Sequence, residues 1–308
     1  MQIYVSGSLA YDRIMDFPGK FEDHILPDKI HVLNVCFTVN GLAEKFGGTA
    51  GNIAYSLSLL GETPLIIASA GSDFDRYEKW LRRHQLSTTG IRKVNDTLTA
   101  GAYITTDKSD NQITGFNPGA MQHTSNYGFE NIDVENAFAI VAPGNLDDMQ
   151  HYSRHYQKIG VDYIFDPGQS IPALTGEALT DMITGCKYLI SNDYELELIK
   201  KATDMQNGDL LKRCEAVITT LGESGSVVRT AQNEIPVGSV AVDNVVDPTG
   251  AGDAFRAGLI KGIIEDKPLT DAARMGTISA SYAVEKQGTQ AHSYTLDEFN
   301  DRYQRTFG

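Results

Sequence analysis

Asp253 follows three small residues, Gly250, Ala251 and Gly252, where an apolar run ending at Val246 gives way to helical periodicity. Backbone N–H groups at the start of a helix bind anions, and small residues leave room for a phosphate. A carboxylate there repels the phosphate unless it has a chemical task, such as accepting the proton of a hydroxyl nucleophile. The alternative is that Asp253 only caps its helix, and the glycines alone favour that alternative.

Three further motifs place glycine or polar side chains near predicted helix starts and strand ends. Residues 47–52 form a glycine-rich turn that opens a helix, with Asn52 as a donor and acceptor in its first turn. Asn192 and Glu195 follow a strand about one turn apart on one helix face, which suits a hydrated Mg²⁺ and its phosphates. Residues 220–225 follow the next strand. Open α/β sheets bind ligands at such strand ends, so the four motifs predict one site.

The elements that must position these motifs are those of an α/β protein. Short apolar runs alternate with helical patterns from about residue 40 onward, which predicts parallel βαβ units in a doubly wound, mostly parallel sheet flanked by helices. The predicted strands are 65–70, 137–142, 163–165, 188–191 and 217–220, and the predicted helices include 73–85, 149–159, 253–265 and 271–285.

Two segments, residues 11–40 and 97–118, alternate polar and apolar residues without helical periodicity. We interpret them as a small β lid, because long loops in a compact domain are unusual unless they are functional. Long surface loops are the alternative. The remaining residues, 1–10, 41–96 and 119–308, are assigned to the large α/β domain, which binds nucleotide and substrate.

Composition narrows the class of partner. The 308 residues contain 26 Lys+Arg against 40 Asp+Glu, a net charge of −14, which argues against nucleic-acid or anionic-membrane binding. The three cysteines form no C-x-x-C pair, so neither a disulfide framework nor a zinc site is indicated. No signal sequence or membrane-spanning stretch is apparent, and we expect a cytoplasmic protein.

Taken together, the motifs resemble those of the ribokinase, or PfkB-type, family of carbohydrate and nucleoside kinases. The resemblance covers essentially the whole chain and rests on Gly47-Gly48-x-x-x-Asn52, Asn192-x-x-Glu195, Thr220-x-Gly222-x-x-Gly225 and Asp247-x-Thr249-Gly250-Ala251-Gly252-Asp253. It implies the ribokinase-like fold with a β lid, an ATP-dependent phosphotransferase and an alcohol group as the acceptor.

The resemblance also implies roles for matched positions. Asp253 matches the catalytic base, and the amides of Gly250, Ala251 and Gly252 match the anion hole for the transferred phosphoryl group. Many members bind a monovalent cation such as K⁺ beside that hole, and Asp247 matches one contributor to that site.

On the nucleotide side, Asn192 and Glu195 match the motif that organises Mg²⁺ and phosphate, with Glu195 acting through water. Thr220, Gly222 and Gly225 match the stretch that lines the ATP site. On the acceptor side, Asp12 matches the residue that holds vicinal sugar hydroxyls, with Gly48 and Asn52 beside it. Arg256, one turn into the helix after the anion hole, is a candidate phosphate contact, and a solvent-facing arginine is the alternative.

The acceptor is predicted from the lid. A nucleoside carries a flat base that binds well between apolar or aromatic walls, and Phe37 and Phe116 are lid aromatics that favour such an acceptor. A small lid core built by these rings is the alternative. Residues 46–54, 252–258 and 281–290 look most like the bacterial adenosine-kinase-like branch, so adenosine is the first choice. Other nucleosides, a plain sugar and a non-catalytic nucleotide-binding regulator remain open, as does a monomer or a homodimer.

Overall fold

A computed structural model describes residues 1–32, 34–109, 111–129 and 132–308, so Leu33, Asp110, Glu130 and Asn131 lie outside the described residues. The first two of these fall within the predicted lid segments. The strands are β1 (Gln2–Ser6), β2 (Ala10–Asp16), β3 (Ala43–Gly47), β4 (Leu65–Ala70), β5 (Ile91–Lys93), β6 (Ala100–Thr106), β7 (Gln112–Asn117), β8 (Ala137–Val141), β9 (Asp162–Phe165), β10 (Tyr188–Asn192), β11 (Ala216–Thr220), β12 (Ser226–Thr230) and β13 (Glu234–Val237). The helices are α1 (Thr49–Leu59), α2 (Asp75–Arg83), α3 (Leu146–Ile159), α4 (Gly176–Ile183), α5 (Asp193–Thr203), α6 (Asn207–Leu210), α7 (Ala251–Ile264), α8 (Leu269–Val284) and α9 (Leu296–Phe307).

Nine strands form the large sheet in the order β13-β12-β11-β10-β9-β8-β1-β4-β5. All neighbours from β11 to β5 pair in parallel, and the hairpin β12–β13 adds two antiparallel strands at one edge. Parallel strands need crossover connections, which the helices supply. The predicted doubly wound α/β sheet is confirmed.

Alternate strand residues point into two separate cores, one on each face of this sheet. Ile3 and Val5 of β1 pack in the core with α1, α2, α7 and α8, whereas Tyr4 between them packs in the core with α3, α4 and α5. A strand buried on both faces reads as a continuous apolar run, which is why β4 and β8 to β11 were predicted from the sequence. Strand β1 was not predicted.

The predicted lid is a separate four-stranded sheet in the order β3-β2-β6-β7. β2 pairs antiparallel with β3 and parallel with β6, and β6 pairs antiparallel with β7. The predicted boundary at residue 40 is therefore too early, because β3 belongs to the small sheet through its pairing with β2. The sequence of residues 43–47 indicates a strand but does not indicate which of the two sheets contains its partner.

Candidate active site

Strand ends and helix starts of the large sheet surround a cleft of about 450 Å³. Its wall includes eight of the residues predicted for catalysis, nucleotide and metal: Asn192, Glu195, Thr220, Gly222, Gly250, Gly252, Asp253 and Arg256. These residues come from the turn after β10, the turn after β11 and the start of α7, so the topology brings three separate sequence motifs to one edge.

The turn before α7 supplies backbone donors. Gly250 adopts φ 84°, a left-handed conformation that favours glycine, and begins the helix there. The Ala251 amide donates to Pro248 O at 3.2 Å, so the turn itself uses it. Within the described residues, no protein acceptor pairs with the amides of Gly250, Gly252 and Asp253. The free donors at this turn are the amides of Gly250, Gly252 and Asp253, and the predicted anion hole at 250–252 stays a prediction.

Asp253 lies at the wall of the cleft and accepts a hydrogen bond from Asn52 Nδ2 at 2.8 Å on Oδ2. Burial raises the pKa of Asp253 to about 6, although the Arg256 charge and the Asn52 hydrogen bond both lower it. The charges of Asp166 and Asp12 raise it further. A carboxyl with a pKa near 6 is well matched to proton transfer near neutral pH. Among the described residues, no backbone amide donates to the Asp253 side chain, which accepts from Asn52 instead, so it does not cap α7.

Asn52 was predicted as an acceptor-binding residue, but its side-chain amide is already committed in the structure. It donates to Asp253, and its Oδ1 accepts from Gln290 Nε2 at 3.0 Å. Because Asn52 is only 4% exposed, its contact with a substrate hydroxyl stays a prediction.

Arg256 is buried rather than solvent-facing, so that alternative is wrong. Its Nη2 donates to Asp166 Oδ1 at 2.8 Å, and its Nε pairs with Asp166 Oδ2. Both side chains line the cleft. Asp166 is a residue that sequence reasoning missed as a site component, although its Asp-Pro-Gly turn at the end of a strand marked the place.

Asn192 and Glu195 form a capping box at the start of α5 instead of sharing one helix face. The Glu195 amide donates to Asn192 Oδ1 at 2.7 Å, and the Asn192 amide donates to Glu195 Oε2 at 2.8 Å. Burial raises the pKa of Glu195 above its ordinary value. The box leaves Glu195 Oε1 without a protein partner among the described residues, and the side chain lines the cleft.

The residues of the 220–225 motif after β11 lie in two places, the cleft and the turn into β12. Thr220 and Gly222 line the cleft, whereas Gly225 closes the turn into β12 and is not among the lining residues found in the described chain. Gly225 has φ 89°, and a Cβ there would lie 2.2 Å from Val237 O. Its glycine is therefore explained by the turn, and its contact with nucleotide stays a prediction.

Asp12 lies on the lid side, in a second cleft of about 690 Å³ between the small sheet and the 246–249 and 287–289 segments. Gly47 in the neighbouring strand makes room for it, since a Cβ at Gly47 would lie 2.6 Å from Asp12 Oδ2. Burial and the charge of Asp247 raise the pKa of Asp12, whereas Lys45 lowers it. Gly48, predicted beside the acceptor, has φ 89° and packs against Ser8 O.

The two lid aromatics lie in different places. Phe116 pairs with Ala102, and Ala102 pairs with Asp12, so Phe116 and Asp12 share one face of the small sheet. Phe116 is 53% exposed there. Phe37 instead packs against Phe17 and Phe21, with ring centroids 4.5 and 5.4 Å away, which is the arrangement of the lid-core alternative.

The model of the pfkB family of carbohydrate kinases matches residues 19–296. The chain belongs to the pfkB family. Among curated relatives, nucleoside kinase from Methanocaldococcus jannaschii is 30% identical over 88% of this chain and 90% of its own. Ribokinase from Haemophilus influenzae is 26% identical over 82% of this chain and 85% of its own.

A solved structure of nucleoside kinase from Burkholderia thailandensis in complex with inosine is similar throughout. It is 36% identical, covers 99% of this chain and 98% of its own, and has a TM-score of 0.88. The fold is therefore ribokinase-like, with a large mostly parallel sheet flanked by helices and a small separate sheet. As a member of this family, the protein is an ATP-using phosphotransferase that acts on a hydroxyl group.

The Asp247 carboxylate connects the turn before α7 in this pfkB kinase to the segment around Gly288. Asp247 Oδ1 accepts from the Thr249 amide at 2.9 Å, and its Oδ2 accepts from the Gly288 amide at 3.0 Å. Although burial raises it, these hydrogen bonds hold the pKa of Asp247 below its ordinary value. The loop that contains Gly288 therefore contacts Asp247.

None of the kinase's helices, over the residues described, is long and apolar enough to cross a membrane.

Proposed function

We propose that this protein transfers the γ-phosphoryl group of ATP to the ribose 5′-hydroxyl of a purine nucleoside. Adenosine is the acceptor predicted from the sequence, and inosine is the ligand of the Burkholderia relative. The observation that carries the proposal is the order of side chains on the cleft-facing side of the small sheet, which offers a carboxylate, then an apolar surface, then polar groups.

These side chains lie in consecutive rows across the small sheet. The row of Asp12 includes Ala102 and Phe116, and the next row contains Ile14, Ile104 and Thr114. A carboxylate binds the two hydroxyls of a cis-diol, and the neighbouring isoleucines offer the apolar contact that a flat base needs. A free pentose has no group to cover that surface.

The third row contains Asp16, Thr106 and Gln112, and all three line the cleft. An amide side chain such as Gln112 both donates and accepts hydrogen bonds, so it can bind the edge of either adenine or hypoxanthine. This row therefore supports a purine without separating adenosine from inosine.

For catalysis, the acceptor's 5′-oxygen attacks the γ-phosphorus of ATP. The bond between the γ-phosphorus and the β–γ bridging oxygen breaks, and ADP leaves. Asp253 accepts the proton of the attacking hydroxyl, and the free amides at the start of α7 stabilise charge on the transferred group. Magnesium bound to the phosphates neutralises negative charge when it is present. Glu195 would hold it through water, since Mg²⁺ keeps several water ligands and no cluster of three His, Cys, Asp or Glu occurs in the described residues.

A monovalent cation fits beside the Asp247–Gly288 contact, where a carboxylate joins two backbone segments next to the anion hole. Replacing K⁺ with tetramethylammonium at constant ionic strength should lower kcat. Equal rates in the two salts would remove the cation from the proposal.

The test is a coupled ADP-release assay with adenosine, inosine, ribose and fructose, with Asp253→Asn as the blank. Nucleosides should have the highest kcat/KM. Efficient turnover of ribose or fructose with none of the nucleosides would instead make the protein a sugar kinase. No turnover of any acceptor, with ATP binding retained, would favour the nucleotide-binding regulator.

A further inference from the structure

A chain of hydrogen bonds connects Trp80 to Asp253 through two side-chain amides. Trp80 Nε1 donates to Gln290 Oε1 at 2.8 Å, and Gln290 Nε2 donates to Asn52 Oδ1 at 3.0 Å. Asn52 Nδ2 then donates to Asp253 Oδ2 at 2.8 Å. The four residues come from α2, the segment after α8, α1 and α7. Trp80 lies in none of the predicted motifs, and Gln290 occurs only as the last residue of the 281–290 stretch, with no role assigned to it.

The polarity of this chain is fixed at its outer end. An indole N–H can only donate, whereas a side-chain amide can present either its oxygen or its nitrogen. Gln290 must therefore point its oxygen at Trp80 and its nitrogen at Asn52. Asn52 must in turn point its oxygen at Gln290, which leaves its nitrogen for Asp253.

A second contact supports the same orientation of Gln290. Its Nε2 also donates to the Tyr77 hydroxyl, which donates onward to Gly47 O at 2.8 Å. Gln290 is 6% exposed and Asn52 4%, so water has little access to replace a lost partner. A reversed Gln290 would bring two donors together at Trp80, which is costly in a buried site.

We propose that Trp80 is a positioning residue, which fixes through Gln290 the amide orientation in which Asn52 donates to Asp253. This inference rests on the proposed role of Asp253 as the base. A donated hydrogen bond stabilises the ionised carboxylate, which is the form that accepts a proton. An Asn52 side chain with the reversed orientation would present its amide oxygen to Asp253 and would favour the protonated carboxyl of Asp253 instead.

Other groups also act on Asp253, and the relay must be separated from them. Those that face it are Arg256 on the same helix, Asp166 after β9, Asp12 on β2 and Asn52 on α1, with the Tyr77 hydroxyl on α2 nearby. Replacing Trp80 alters none of these charges. A change in the protonation of Asp253 would therefore report the amide orientation.

The experiment compares Trp80→Phe with Tyr55→Phe. Both remove one donor from the same aromatic layer, in which the two rings lie 5.9 Å apart, but the Tyr55 hydroxyl donates to His292 O outside the relay. We expect the acidic limb of kcat/KM against pH to move up by about one unit in Trp80→Phe, because a hydrogen bond to a charged group is of that size. At pH 8.5 the variant should approach wild-type activity. Tyr55→Phe should keep the wild-type limb.

A direct readout uses no turnover. The side-chain ¹⁵N–¹H signals of Asn52 should titrate at the pH of the acidic limb in the wild type, and at higher pH in Trp80→Phe. Gln290→Met removes the middle of the chain and should give the same direction, which covers the case in which Trp80→Phe fails to fold.

An unmoved limb and an unmoved Asn52 titration in folded Trp80→Phe would overturn the inference, as would equal losses of activity at every pH. Failure of the base role of Asp253 is distinguishable, because Asp253→Asn would then keep near-normal activity whatever Trp80→Phe does. Failure of the nucleoside assignment would appear separately, as turnover of ribose or fructose in place of nucleosides.

Discussion

Arg256 and Asp166 form a buried ion pair beside Asp253, with side chains 8% and 2% exposed. Removing one partner of such a pair leaves the other charge buried and uncompensated. Arg256 also lowers the pKa of Asp253, so this pair connects the stability of the fold with the protonation of the candidate base.

Arg256→Met should lower the free energy of unfolding by about 3–5 kcal/mol at pH 7, because it leaves the Asp166 carboxylate unpaired. The double variant Arg256→Met/Asp166→Asn should recover part of that loss, since no uncompensated charge remains. Denaturant titrations of both variants measure the difference. A single variant as stable as the double one would contradict the pairing.

Asp253→Asn keeps the shape of the side chain and removes the base. We expect kcat to fall by about 10²–10⁴-fold, with ATP affinity unchanged or higher because a negative charge beside the phosphates is lost. Asparagine caps helices nearly as well as aspartate, so a purely structural role predicts almost normal kcat. Steady-state kinetics with a calorimetric titration of ATP distinguish the two.

The raised pKa of Asp253 predicts two opposite pH effects. Activity should rise with pH through about 6, because the base must be ionised. Stability should change the other way: between about pH 4 and 6 the unfolded chain releases this proton while the folded chain retains it, so folding is disfavoured as pH rises.

Asp253→Asn lacks that decline. The variant's free energy of unfolding should therefore gain about 2–3 kcal/mol relative to that of the wild type between pH 4 and pH 7. Urea titrations at the two pH values measure the difference. The same relative stability at both would show that the folded-state pKa is ordinary.

A methyl group at Gly47 should disturb acceptor binding without touching the nucleotide cleft. Its Cβ would lie 2.6 Å from Asp12 Oδ2, so Gly47→Ala must displace the carboxylate and should raise the acceptor KM about tenfold or more. Gly115→Ala is the matched control in the same small sheet, because a Cβ there meets nothing within 4 Å. An unchanged acceptor KM in Gly47→Ala would remove Asp12 from the acceptor site.

Local patterns predicted much of this fold and site. Buried parallel strands read as continuous apolar runs, and glycine-rich turns at their ends located the start of α7 and the cleft around it. Helix α9 was missed, although Thr295 and Glu298 form a capping box whose spacing is visible in the sequence.

What the sequence did not predict depends on contacts between distant segments. The hydrogen bond from the Ala251 amide to Pro248 O forms only once the turn before α7 has closed. Arg256 pairs with Asp166, which lies 90 residues away in the sequence. The orientation of Asn52 depends on Gln290, 238 residues further along the chain. Periodicity and spacing carry no information on such pairs.

The side chain of Phe116 should distinguish a nucleoside from a free sugar. It shares the cleft-facing side of β7 with Thr114 and Gln112, whereas Ile113 points to the opposite side at a similar exposure, 47% against 53%. Phe116→Ala should raise the KM for a nucleoside about three- to tenfold by removing apolar contact with the base, and leave any residual ribose turnover unchanged. Ile113→Ala removes a comparable exposed side chain and should change neither. If Phe116→Ala impaired both acceptors equally, the ring would act on the sheet or its closure, and the base would have to be bound by the row of Ile14 and Ile104 alone.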